Sequence, residues 1–399
     1  MLDQTKTSSL IPWARLGGYY ASFIMLGMTG AVLGPTLPAL AEHTGVTLNA
    51  IGLLFTARSL GFLLGAVQAG RLYDSQPGHR VLTLGLLISA GMTALTPIAP
   101  QLWLLWLISL AAGVAQSTID VGGNTMLIWT FQDDVGPFMN GMHFCFGVGS
   151  LLAPLIVARA IIVTGDVTWG YWVLALAILP VAAWLARQPS PRRDATSDEE
   201  NTLTHPQQRL ILLIACFFFL YVGAEISFGG WIYTYALTLG VATVTTAAYL
   251  NSAFWAALTA GRLLSIPLAN RLRPSLLLQI ALAGSLLSGG IVVLGGARVL
   301  PLWVGTVGMG LSMATVFPTT LALAERRLHI TGKMMSQFFV GASLGSMTLP
   351  SLIGQLFESL GARAGMITLV ADLGLTALML YALLAYSRTA APVIAQDRV

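Results

Sequence analysis

Charge is what this 399-residue chain has least of. Asp, Glu, Lys and Arg together make up 9% of it, against 56% hydrophobic residues. A soluble domain carries about a quarter of its residues charged, and here the shortage runs along the whole length. Cysteine is almost missing as well: Cys145 and Cys216 are the two, each inside an apolar run. That excludes a disulfide framework and a cysteine zinc site. The formal net charge of +4 is no nucleic-acid signature, and there is no phosphate-cradling loop or metal-ligand cluster. What remains is the composition of a polytopic membrane protein whose outer surface meets lipid.

What is present is a series of apolar segments, each near the 20 residues that a helix needs to cross a bilayer. They fall at 16–41, 48–70, 79–98, 102–131, 136–162, 168–186, 209–236, 244–269, 275–296, 300–324, 334–357 and 365–387. The first is too long for a signal peptide's apolar core of about 7–15 residues, and reads as a retained span. Twelve spans are expected, with the longest polar interruption in the middle. This gives a six-helix half over 1–186, a linker over 187–208 holding Pro189, Pro191, Arg192, Arg193, Asp198, Glu199 and Glu200, and a second half over 209–399.

Lys and Arg gather on one side of this series. Lys6, Arg15, Arg71, Arg80, Arg187, Arg192, Arg193, Arg209, Arg271, Arg273, Arg326, Arg327, Lys333, Arg388 and Arg398 share a side; Arg298 and Arg363 stand on the other. The positive-inside rule then puts both termini in the cytoplasm, in a membrane of bacterial inner (plasma) type. An offset of 196 residues lays one half over the other: Gly27 on Gly223, Gly34 on Gly230, Gly65 on Gly261, Gly149 on Gly345 and Pro154 on Pro350. These are positions that control helix approach and kinks. Parallel six-span repeats are an architecture of secondary transporters.

The loop after the second span reads GRLYDSQPGHR, residues 70–80. Asp74, at a helix end, can pair with arginines and cap a neighbouring helix. Gly70, Asp74, Gly78 and Arg80 are therefore expected to form a conformational latch rather than a solute site. A decoy stands in the second half, where Gly341, Ser343 and Gly345 satisfy the G-x-S-x-G pattern of hydrolases. That motif needs a strand-to-helix turn, and this copy lies inside an apolar span, so no enzyme is expected.

Ionisable groups inside the spans carry the functional case. Asp120 and Asn124 lie four residues apart, on one face of the fourth span. Arg58, in the second span, stands at a similar depth, about 20 Å from the cytoplasmic end at 1.5 Å per residue. Two readings stand: a structural Asp120–Arg58 salt bridge, or an Asp120–Asn124 face that holds solute hydroxyls or a coupling cation, with Arg58 tuning the carboxylate. Glu225, in the seventh span, has no arginine at its level in the same half, and is a candidate proton site or part of a Na⁺ site. Trp231, Tyr233, Asn251 and Trp255 stand near it in sequence or in the next span. Rings beside amide and carboxylate groups suit polyols; Tyr235 reads better as packing or an interface anchor. Gln116, Asn140 and His143 are further cavity candidates; Arg159 and Arg262 read either as cavity residues or as structural partners, one of them open to pairing with Asp372.

The whole chain resembles a major facilitator superfamily transporter. The 70–80 loop is similar to that family's signature, with one extra residue before Gly78 and Ser75 in place of an arginine. The fifth and eleventh spans carry the partial Gly-then-Pro pattern Gly149–Pro154 and Gly345–Pro350. DVGGN at 120–124, and YVGAE with GGWIY at 221–233, look closer to the fucose–galactose–glucose/H⁺ symporters and the sodium-dependent glucose transporter type. The resemblance implies an all-α membrane fold of two pseudo-symmetric halves and uptake of a sugar coupled to H⁺ or Na⁺. It also implies a span-four carboxylate in the cavity, here Asp120. The span-one acid of the fucose transporter has no counterpart in 16–41, and Glu225 is the expected substitute. No cofactor or resident metal is expected. The partners are a small polar solute and membrane lipid, and the unit is a monomer. A drug or metabolite/H⁺ antiporter is the alternative.

Overall fold

In the computed structural model, residues 4–131, 135–191, 205–325, 328 and 332–389 are described. The described chain is almost wholly helical, as lipid requires, because a helix satisfies its backbone groups within its own segment. Much of the linker expected at 187–208 lies outside the described residues. Nine described segments are long and apolar enough to cross a bilayer, ten when the bent first pair counts as one. The two remaining spans expected from sequence are also helices, of 28 and 29 residues, diluted by polar side chains.

The chain divides into two compact units, Met1–Val46 with Ala57–Ser197, and Thr47–Thr56 with Asp198–Val399. The first unit holds α1 (Gln4–Ala31), α2 (Leu33–Thr44), most of α3 (Leu48–Ser75), α4 (Gly78–Leu95), α5 (Leu102–Phe131), α6 (Val135–Thr164) and α7 (Thr168–Ala186). α1 and α2 are one apolar span bent by 46°. Pro35 has no N–H to offer the carbonyl of Ala31, so the hydrogen-bond ladder opens there. α2 then ends on Gly45, whose φ of 65° is the left-handed cap that glycine adopts without steric cost.

The second unit holds α8 (His205–Thr238), α9 (Val244–Arg271), α10 (Pro274–Gly295), α11 (Val299–Met313), α12 (Val316–Glu325), α13 (Gly332–Leu360) and α14 (Ala362–Thr389). The opening turns of α3 pack within this unit. Thr56 Oγ1 donates to Met347 O at 2.9 Å and shares a 2.6 Å bond with Ser351 Oγ, and the Asn49 amide donates to Glu358 at 3.2 Å.

Inside each unit the repeated glycines do the same work. A Cβ on Gly27 would strike the Phe146 carbonyl, and one on Gly149 the Ile24 carbonyl, so α1 and α6 touch backbone to backbone. At the equivalent positions of the second unit, a Cβ on Gly345 would strike the Phe219 carbonyl and one on Gly223 would crowd the Gly345 carbonyl at 3.1 Å, closing α13 onto α8. Gly65 against Val114 and Gly261 against Leu311 repeat the relation for α3–α5 and α9–α11. Without a hydrophobic difference between helix and lipid, such close dispersion contact holds the bundle together. Ser343, the decoy nucleophile, lies mid-helix in α13 with no turn beside it.

Candidate functional site

In the first unit the polar groups of α1, α3 and α5 form one connected track. Arg58 Nε donates to Gln116 Oε1 at 2.9 Å, and its Nη2 donates to Thr29 O at 3.0 Å and Gly30 O at 2.8 Å. Those carbonyls end α1 just before the bend. A guanidinium there completes acceptors at the broken ladder and sits at the negative end of the helix dipole. Gln116, 5% exposed, fixes the fork from α5. Arg58 therefore does not pair with Asp120, correcting the expectation drawn from their equal depth: the freed carbonyls of α1 are its partners.

Asp120 is left with Asn124. The Asn124 amide donates to Asp120 Oδ1 at 3.1 Å and to the Asp120 carbonyl at 2.8 Å. No cation pairs with this carboxylate among the described residues. Its helix neighbours are all in packing: a Cβ on Gly123 would strike Phe23, and one on Gly122 would strike Tyr73, whose hydroxyl donates to Thr118 O at 2.9 Å. Ile119 is buried in the apolar core. Asp120 and Asn124 are half-buried. A carboxylate and an amide without a counter-cation make an oxygen-rich, net-negative spot.

The second unit has a seam between α8 and α9. Glu225 Oε1 stands 3.9 Å from Arg262 Nη2, the two side chains 12% and 27% exposed. This corrects the expectation that Glu225 lacks an arginine at its level, and it takes away the lone carboxylate on which a Na⁺ site there would depend. Tyr221, one turn earlier on α8 and beside the same pair, donates its hydroxyl to Met313 O at 2.7 Å. Further along the seam the Asn251 amide donates to Gly229 O at 2.6 Å. A Cβ on Gly229 would lie 2.7 Å from the Trp255 ring.

A model of the Major Facilitator Superfamily matches residues 19–350. The chain belongs to that superfamily. Among curated relatives, it is 33% identical over 359 residues to sodium-dependent glucose transporter 1 of Xenopus laevis, covering 82% of this chain and 73% of the relative. With sodium-dependent glucose transporter 1 of Homo sapiens it shares 30% over 375 residues, 84% of this chain and 72% of the relative. The crystal structure of the nucleoside transporter NupG superposes with a TM-score of 0.73 at 13% identity, over 94% of this chain and 98% of that one. A bacterial homologue of the lysosomal transporter Spinster gives 0.72 at 14%, over 96% and 98%. The chain is an integral membrane protein and a secondary active solute transporter.

As a superfamily member it keeps some of the sequence candidates near the two polar regions and moves others away. Trp231 is fully buried, donates its indole N–H to Pro350 O at 2.9 Å, and packs on Phe55 and Phe357. It is a packing residue of the second unit and presents no face to a solute. His143 and Asn140 are exposed on α6, His143 with its ring edge-on to Phe23 at 5.7 Å. Asp372 on α14 is 7% exposed, with Oδ2 unpartnered among the described residues. Among the described residues it pairs with neither Arg159 nor Arg262, which leaves that one of the two open readings without support. Of the latch residues, Gly70, Asp74 and Arg80 are exposed, while Gly78 is buried against Met126.

Next to Gly78, His79 makes contacts that the sequence reading passed over. Its ring meets Tyr19 Oη at 2.8 Å and the Gln188 carbonyl at 2.9 Å, and its amide donates to Ser190 Oγ at 3.0 Å. The chain leaving α7 is thereby held to α1 and α4. The one sequence signal was a histidine where the family signature has a basic residue.

Proposed function

We propose that this transporter takes up a neutral sugar of the glucose type together with Na⁺, and that Asp120 and Asn124 bind the coupling ion. The observation that carries this reading is the half-buried Asp120 carboxylate, whose side-chain partner among the described residues is the Asn124 amide. Na⁺ needs oxygen ligands and negative charge. Asp120 supplies both, Asn124 carries a further amide oxygen, and Arg58 is spent on Gln116 and on the α1 carbonyls. The sodium dependence named in the relatives supports Na⁺ over H⁺.

The α8–α9 seam, with Asn251 and Trp255, binds the sugar, and Glu225 with Arg262 borders it. The halves 1–186 and 209–399, joined by 187–208, alternate access to that site. Gly70, Asp74, Gly78 and Arg80 latch one state, both termini face the cytoplasm of a bacterial-type inner membrane, and the protein works as a monomer.

The test is uptake of labelled glucose by proteoliposomes under an inward Na⁺ gradient, an inward H⁺ gradient, or neither. Accumulation above equilibrium should require Na⁺, and Asp120→Asn should abolish it while leaving the protein folded. Accumulation driven by H⁺ alone, or an Asp120→Asn variant that still concentrates glucose, would overturn the ion assignment.

A further inference from the structure

Of the buried polar atoms on α8 and α9 that have no partner among the described residues, two stand beside Gly229. Trp255 Nε1 and Asn251 Oδ1 both lie out of reach of solvent without a hydrogen bond among the described residues. Each belongs to a side chain at least nine-tenths buried, Trp255 at 7% exposure and Asn251 at 0%. Both are anchored on one residue. Asn251 Nδ2 holds Gly229 O at 2.6 Å, and Trp255 Cε2, the ring carbon bonded to Nε1, lies 3.3 Å from where a Gly229 Cβ would stand. Glycine at 229 is what lets the ring approach. Asn251 and Trp255 are one turn apart on the same face of α9.

We infer that Trp255 Nε1–H and Asn251 Oδ1 are a hydroxyl-reading pair, completed by the hydroxyls of a neutral sugar. The argument is the chemistry of the two atoms. An indole N–H only donates and an amide oxygen only accepts. A cation would satisfy Oδ1 and be repelled by the N–H; an anion would do the reverse. A hydroxyl donates and accepts, so one hydroxyl or two adjacent ones complete both atoms. Leaving two buried groups unmade destabilises the protein, and a site built to hydrogen-bond a hydroxyl rejects the analogue that lacks it. Further along the same seam Glu225 and Arg262 are part-exposed.

This assignment rests on the sugar-transport reading, and Trp255→Phe separates the two. Phenylalanine keeps an aromatic ring, deletes the donor side of the pair, and also gives up the volume of the second ring. Reconstituted full-length wild type and variant are compared for Na⁺-driven uptake of glucose and of its monodeoxy analogues, with thermal midpoints measured in detergent. In the wild type, one or two adjacent deoxy analogues should bind about tenfold more weakly than glucose. Trp255→Phe should raise KM for glucose by about three- to tenfold and add no further penalty on those analogues. Any fall in its thermal midpoint reports the ring volume lost from a buried, packed position, so the analogue pattern, not the midpoint, reads the pair. An unchanged KM, or an equal penalty on every analogue, would overturn the assignment and leave glucose transport standing. Absence of glucose uptake by the wild type would bring down the sugar reading and this assignment with it.

Discussion

Replacing Arg58 by methionine tests whether this arginine is a strut or a coupling residue. Its guanidinium makes three hydrogen bonds, of 2.9, 3.0 and 2.8 Å, to Gln116 and to the two carbonyls before the α1–α2 bend. Bonds to charged groups are each worth about 1.5–3 kcal/mol. They share one side chain, so their sum overstates the loss. Methionine also leaves the Gln116 oxygen buried without its donor. A net destabilisation of about 4 kcal/mol follows, with about half of it recovered by Arg58→Lys, whose ammonium can reach the carbonyls but cannot fork to Gln116 as well. Thermal unfolding in detergent, read by a thiol-reactive dye on Cys145 and Cys216, ranks the variants. The Arg58→Met/Gln116→Leu double variant should lose less than the two single changes combined, because the second change removes the orphan left by the first. An Arg58→Met protein of wild-type stability that has lost its ion dependence would refute the strut and return Arg58 to the coupling machinery.

Other expectations follow from the same geometry. Gly345→Ala places a methyl against the Phe219 carbonyl, and Gly149→Ala one against the Ile24 carbonyl; each should cost about 1–3 kcal/mol by overpacking, whereas Gly70→Ala, with nothing within 4 Å, should unfold like the wild type. His79→Ala removes the ring bonds to Tyr19 and Gln188, and limited trypsin digestion should then cut after Arg192 and Arg193 about threefold faster or more, as local release raises the cleavable population. Unchanged cutting would mean that His79 does not hold the linker. Glu225→Gln breaks an ion pair whose arginine is more than a quarter exposed. It should cost under about 1 kcal/mol of stability and yet abolish concentrative uptake in the proteoliposome assay.

The sequence by itself determined that the chain crosses a membrane many times and where it does so. Lipid leaves the backbone no option but helices, and only long apolar runs tolerate that solvent. It also determined the internal repeat, because positions where two backbones touch admit glycine and little else. Gly27 with Gly149 and Gly223 with Gly345 stand at such crossings. The polar pair in the fourth span was legible for a similar reason: in an apolar run a carboxylate and an amide four residues apart can be explained only by function or by a partner.

Only the tertiary structure decided which partner. Depth along a helix can be counted from sequence, but rotation about the helix axis and the reach of a long side chain cannot. Arg58 and Asp120 matched in depth, yet the guanidinium turned to the Thr29 and Gly30 carbonyls at the end of α1, neighbours that no side-chain inventory contains. Glu225 read as solitary because its arginine lies on the antiparallel α9, where small errors in span ends shift the estimated level by a turn. Trp231 read as a solute platform and proved to be packing, since an aromatic ring has the same letter whether it faces a cavity or Phe357. Trp255 and Asn251 stood out only once their unpartnered atoms were seen beside Gly229. An unmade hydrogen bond is a relation between helices, and no single stretch of chain records it.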